Sequence, residues 1–303
     1  MPAYEKLPTP HLLGTINYPA GNRLRPDGDT VHLRNPVLLI NGQAIQPDNG
    51  TFKIWTTGAT KPKIITLKGK PGSYYAPIRF EGLDAPEEHY RATPFKLVTK
   101  GQTLDFPIVP GIKHEERAQP LWKPATDYAL TELAKTGWAC IRLDREVTDK
   151  YGRVLGYVYS SDASGAYQTF VTVELLKRGL AFPFVFESAG TTIPDFLSAA
   201  MKAKKANFGV WKHYHSRPLG YPQTYPAPKT YTEAEPPDQQ KAPLNLPMVF
   251  RRVVDAHQLA GLSLKLALQK YDAMNYATGD VVSGDQYFKI PMESLIWAPH
   301  KFS

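Results

Sequence analysis

Apolar positions in the first half of the chain come in short runs with a two-residue beat, separated by Gly, Pro and Asn. That period belongs to strands with one buried face. Leu12 to Tyr18, Thr30 to Leu33, Val37 to Ile40, Phe52 to Trp55, Ile64 to Leu67 and Tyr75 to Leu83 read as strands, the last closed by Asp84-Ala85-Pro86. Asp27-Gly28 lies between apolar runs and reads as a hairpin turn. Arg91 to Lys123 is rich in turn residues and reads as a long surface excursion rather than core.

The beat then changes. Ala125 to Lys135 has helical spacing, with Tyr128, Ala129, Leu133 and Ala134 on one face. Trp138 to Leu143 and Val154 to Tyr159 read as strands around a Lys150-Tyr151-Gly152 turn. Val171 to Arg178, capped by Gly179, and Ile193 to Ala206 read as amphipathic helices. Short strands followed by interleaved helices predict a compact α+β barrel. Arg217 to Pro247 is Pro-rich and reads as an arm, and Met248 to Met274 as a helix striped with Phe250, Val253, Val254, His257, Leu264 and Leu268. Gln286 to Phe302 is aromatic and strand-like or irregular, and no internal repeat is visible.

The net charge of +8 over 303 residues favours an anionic partner such as nucleic acid. From His213 onward nine basic side chains meet eight acidic ones, so the surplus belongs to the first 212 residues. The single cysteine, Cys140, excludes an intramolecular disulfide and a multi-cysteine zinc site, and its apolar neighbours point to a buried, inert thiol. The first residues lack the apolar core of a signal peptide and no window matches a bilayer span. The expectation is no membrane, and a cytoplasmic protein or one exported by a route without such a signal.

Three stretches carry candidate chemistry: Pro26-Asp27-Gly28-Asp29-Thr30, Ile78-Arg79-Phe80-Glu81-Gly82-Leu83-Asp84-Ala85-Pro86-Glu87 and Thr148-Asp149-Lys150-Tyr151-Gly152-Arg153. They supply acid oxygens for one hard cation, a further carboxylate and two arginines, which is equipment for cutting a phosphodiester. Arg79 falls in an otherwise apolar strand, where a charge is costly unless paired, so it is expected in a site. His213-Tyr214-His215 and His114-Glu115-Glu116 are weak metal motifs beside these.

In order and in flanking text, these blocks resemble the staphylococcal-nuclease-like (thermonuclease) family. The resemblance continues through Val154-Leu155-Gly156-Tyr157, Glu174-Leu175-Leu176-Lys177-Arg178-Gly179-Leu180-Ala181 and Ala206-Asn207-Phe208-Gly209-Val210-Trp211. It implies an OB-like five-stranded barrel with packed helices, and calcium-dependent hydrolysis of DNA or RNA that leaves 3′-phosphate ends. By resemblance, Asp29 and Asp84 are the Ca2+ carboxylates and the Ala85 carbonyl completes the protein ligands. Glu87 matches the acid that positions or deprotonates water, and Arg79 and Arg153 match the phosphate-binding arginines. Tyr151, Phe184 and Phe186 match residues beside the nucleotide; the two phenylalanines stand where the family has tyrosines, and a stacking ring without its hydroxyl puts base preference in doubt.

About 44 residues lie between Arg34 and Arg79, where the family has a short hairpin. The expected organisation is a nuclease domain over 1–212 with insertions at about 35–75 and 91–123, an arm over 213–247 and a helical extension over 248–303. No candidate catalytic residue falls beyond Arg153, so the extension is expected to tune stability or to dock a protein partner. The alternative to an active nuclease is a catalytically silent OB-type module that binds nucleic acid or protein.

Overall fold

The computed structural model describes residues 10–16, 28–55, 60–88, 90–99, 102–108, 110–111, 118–143, 146–149, 151–184 and 193–213, together with 244, 247, 250, 251, 254, 258 and 259. The chain divides into two compact units, Met1–Ala85 with Pro124–Phe208, and Pro86–Lys123 with Gly209–Ser303. The first unit carries, in chain order, β1 (His11–Thr15), β2 (Thr30–Ile40), β3 (Gln43–Ile45), β4 (Thr51–Ile54), β5 (Lys63–Thr66), β6 (Tyr75–Phe80) and β7 (Gly82–Asp84). β8 (Phe95–Thr99) and β9 (Gln102–Phe106) belong to the second unit. The first resumes within α1 (Trp122–Ala134) and continues through β10 (Trp138–Arg142), β11 (Val154–Ser161), β12 (Tyr167–Phe170), α2 (Val171–Lys177), β13 (Phe182–Phe184) and α3 (Ile193–Lys205). The short α4 (Val210–His213) falls in the second unit.

Five strands close a barrel in the order β1-β2-β6-β11-β10 and back to β1. All neighbours are antiparallel except β6 and β11, which run parallel with Ile78 opposite Val154 and Arg79 opposite Leu155. The α+β, OB-like barrel expected from the strand pattern is therefore the observed fold. β2 alternates buried and half-buried positions, as a strand with one core face must. It is one element where the sequence splits it in two: Asn35 takes φ 44°, and the pairing with β1 shifts register opposite that point, a bulge that bends the strand around the barrel. β1 pairs with residues 34–39 of β2, so Asp27-Gly28 does not close a tight two-residue hairpin.

β11 departs from the alternating rule, being buried at every position. Tyr159 stacks on Tyr167 and Phe170 at 4.1 and 4.3 Å, and Tyr157 packs on Phe196 at 5.7 Å, so aromatic side chains cover what would be its outer face. Leu12, Val31, Leu33, Ile78, Phe80 and Ile141 fill the interior at 0% exposure. Burial of each such side chain stabilises the fold by about 1.5–3 kcal/mol. α1 buries Ala125, Ala129 and Leu133, whereas Ala134, expected on that face, is exposed and Tyr128 half-buried.

In the second unit, the described residues from Thr93 to Gly111 are mostly exposed, as their turn residues predict, whereas residues 118–122 are buried. β8 and β9 form an antiparallel hairpin, and Ala92, Ala118 and Trp122 are buried. Ala92 N–H donates to Gln258 Oε1 at 3.2 Å, Tyr90 meets Phe250 edge-on, and Ile108 bridges Leu259. Phe250 and Val254 are helical and fully buried, as their stripe predicts, but the strand-type bridge at Leu259 interrupts the helix expected to run to Met274. The rest of that helix, most of the arm, Gln286 to Phe302 and Phe186 lie outside the described residues. No helix among the described residues is long and apolar enough to cross a membrane.

Candidate active site

The site begins where β6 ends. Gly82 takes φ 91° between β6 and β7, a left-handed conformation suited to glycine, and a Cβ there would lie 2.2 Å from the Phe196 ring. This kink turns the chain back sharply enough for Arg79 to reach Asp84 five residues later. Gly28 performs a related service, since a Cβ would sit 2.7 Å from that of Ala125 and 2.9 Å from that of Ala85. Its bareness lets the Asp29 backbone settle under α1 against the end of β7.

Three charges meet there. Arg79 Nη2 donates to Asp84 Oδ1 at 2.6 Å, and Nη1 pairs with Asp29 Oδ2. Asp29 also accepts the Ala85 N–H and the Thr30 hydroxyl, each at 3.1 Å. The backbone fixes this meeting independently: Thr30 is opposite Arg79 across β2 and β6, and Phe80 N–H donates to the Asp29 carbonyl at 2.8 Å. The side chains of Asp29, Arg79 and Asp84 are 7%, 8% and 3% exposed. Two carboxylates share one guanidinium in a nearly dry site, where pairing offsets the cost of burying each charge.

Arg153 approaches along the neighbouring strand. It precedes β11, two residues before Leu155, the partner of Arg79. A tight turn presents it: Asp149 Oδ1 accepts the N–H groups of Tyr151 and Arg153, both at 2.9 Å, and Oδ2 accepts Arg153 Nε at 2.7 Å. The guanidinium lies 5.5 Å from the centre of the Tyr151 ring. Tyr151 is 61% exposed. Phe184, half-buried, pairs with Gly82 across β13 and β7, so its backbone borders the strand that carries Asp84.

Glu87 falls in the second unit. Its N–H donates to Gln119 Oε1 at 3.1 Å, while its carbonyl accepts the Gln119 N–H at 2.9 Å. The Glu87 carboxylate is paired with Arg251, a residue of the C-terminal extension. Arg251 lies 164 positions away, in the segment expected to carry no chemistry.

Residues 77–213 match the sequence profile of the staphylococcal nuclease homologue family. By that match this stretch is similar to staphylococcal nucleases. The chain is also 26% identical over 187 residues to endonuclease YhcR of Bacillus subtilis (strain 168), a stretch that covers 61% of this chain and 11% of that protein. The chain thus spans about a tenth of the length of this curated relative.

Asp29 and Asp84 offer carboxylate oxygen, the donor type that hard cations take; among the described residues no group of three or more His, Cys, Asp or Glu gathers that could hold a metal ion. Cys140 takes no part, since burial pushes its thiol up to about 12, against a weaker lowering influence from Tyr167. Asp149, Gln119 and Arg251 hold the candidate residues Arg153 and Glu87 without being among the sequence candidates themselves. The spacing of Asp149 four residues before Arg153 is a local signal for the first; nothing local marks the other two.

Proposed function

We propose that the protein is a calcium-dependent nuclease hydrolysing phosphodiester bonds of DNA or RNA. The observation that carries this reading is the convergence of Asp29, Arg79 and Asp84 in one buried cluster, with Arg153 held by Asp149 in the turn that leads into the adjoining strand. Asp29, Asp84 and the Ala85 carbonyl would hold Ca2+, which when bound supplies positive charge against a phosphate oxygen. Arg79 and Arg153 donate to the phosphate oxygens as negative charge builds on them, with rigid forks charged at any working pH. Glu87 takes the proton of the attacking water, whose oxygen forms the new bond to phosphorus. The 5′ oxygen leaves in line with the bonding pair and takes a proton from solvent, so the ends are 3′-phosphate. Tyr151, Phe184 and Phe186 border the nucleotide. In this reading residues 1–212 are the catalytic domain, 213–247 an arm and 248–303 an extension.

Digestion of plasmid and of single-stranded RNA with calcium, and with chelator, tests the proposal. Cleavage should need the ion, give 3′-phosphate ends, and fall at least a hundredfold in Arg153→Ala, in keeping with the loss of one charge-stabilising donor at about 2.7–4 kcal/mol. Binding without cleavage under any divalent ion would assign the chain to the silent OB-type class instead.

A further inference from the structure

The hairpin of β4 and β5 has two unlike faces. Phe52, Ile54 and Ile65 point into the first unit at 0–2% exposure. The other face presents Lys53, Trp55, Ile64, Thr66 and Lys68 to solvent, with Lys53 directly across from Ile64. Trp55 is 65% exposed and Ile64 53% exposed. A lone exposed aliphatic residue needs no explanation, but a tryptophan held in solvent at the end of an ordered strand forfeits its large burial energy. Between Thr51 and Lys70 the sequence has five lysines and no aspartate or glutamate. Lys63 is paired with Glu146 at 3.2 Å, while Lys53, Lys61, Lys68 and Lys70 are exposed.

We propose that this outer face is an accessory binding surface for single-stranded nucleic acid, with Trp55 stacking on a base, Lys53 contacting a phosphate beside it, and Lys68, at the far end of the face, contacting a phosphate further along the strand. The inference rests on the nucleic-acid substrate proposed above. An exposed aromatic ring flanked by lysines is the chemistry that grips unpaired strands, because every base has a face to stack and every nucleotide a charge. Lys53 and Trp55 are two residues apart on one face, about 6.8 Å along the strand, so the flexible lysine stem reaches the backbone of a base stacked on the ring. Cores of protein interfaces are depleted in lysine, which disfavours a protein occupant. A second copy of the same face would set like charges against each other. Duplex offers the ring no free base face, so the preference is for single strands.

Fluorescence anisotropy of a labelled oligodeoxythymidine with the full chain, in chelator so that nothing is cut, tests this. Trp55→Ala should weaken binding about tenfold, the lower range of a lost base stack, and Trp55→Tyr should restore most of it. In Lys53→Ala/Lys68→Ala the slope of log K against log salt should shrink by about 1.4, or about 0.7 for each phosphate no longer neutralised. Duplex of the same length should lose less than about threefold from Trp55→Ala. If wild type binds the oligonucleotide and all these variants match it, the inference is overturned while the nuclease reading stands. If wild type binds no nucleic acid, the substrate assignment itself fails. Equal losses for duplex and single strand would rule out stacking, and a concentration-dependent dimer abolished by Trp55→Ala would give the face to a second copy; either result overturns the proposal.

Discussion

Removal of Arg79 should cost stability as well as turnover. The Arg79 side chain is 8% exposed and is the guanidinium shared by Asp29 and Asp84. Arg79→Ala would leave two buried carboxylates facing each other in place of a paired cluster. Breaking a buried pair by deleting one partner typically costs about 3–5 kcal/mol, because the remaining charge stays desolvated. Asp29 keeps the Ala85 N–H and the Thr30 hydroxyl, so the lower end applies, about 3 kcal/mol. At about 2–4 °C per kcal/mol for a domain of this size, Tm should fall by about 6–12 °C. Circular dichroism melts of wild type and variant in chelator measure it. Asp84→Asn added to Arg79→Ala should recover part of the loss, since it removes one of the stranded charges. Calcium should stabilise the single variant by about 2.7 kcal/mol at a hundredfold excess over its Kd. A variant that melts within about 2 °C of wild type in chelator would refute the account of a coupled buried cluster.

Other outcomes follow from single contacts. Arg251→Ala should lower kcat about tenfold with little change in KM, because the Glu87 carboxylate loses the partner that fixes its position; in a Glu87→Gln background the same change should add nothing to the rate loss. Gly82→Ala should destabilise by about 2–5 kcal/mol in denaturant melts, combining a left-handed φ with a clash against Phe196. Burial, then the Lys68 and Arg34 charges, hold His32 below its ordinary 6.5. Its contribution to stability is therefore present above the unfolded value and lost as pH falls through the folded one. His32→Gln should show a smaller drop in Tm between about pH 7.5 and about pH 5 than wild type.

The parts of the site that are legible in the sequence are those with local physical signatures. Arg79 stands out because a charge in an apolar strand demands a partner, whereas Asp84 reads locally as an ordinary turn aspartate and is marked only through the resemblance. The barrel is legible from short apolar runs punctuated by Gly, Pro and Asn; of its strands only β2 alternates along its length, while β1, β6 and β10 are buried at nearly every position. β11 hides its depth because both faces are buried, and alternation carries no signal there. The β8–β9 hairpin is masked by the Gly, Pro and Thr around it, which read as loop. Arg251 cannot be found from pattern: its role exists only through a contact 164 residues away, and one arginine beside Arg252 in a mixed segment looks like any solvated charge.

The parallel seam between β6 and β11 has a consequence for how the protein is made. Ile78 is synthesised long before its partner Val154, and β1 likewise waits for β10. Until Ser161 has left the ribosome, the early strands form an open sheet with unpaired N–H and C=O groups along β1 and β6. Closing that ring must overcome the entropy of a long loop before any pairing energy returns, so it should be slow for its size. The growing chain passes through a stage where sheet edges and apolar interior are exposed together, the state that recruits chaperones or aggregates. Fragments ending between Ala85 and Trp138 should therefore collect in the insoluble fraction, even though they contain Asp29, Arg79 and Asp84.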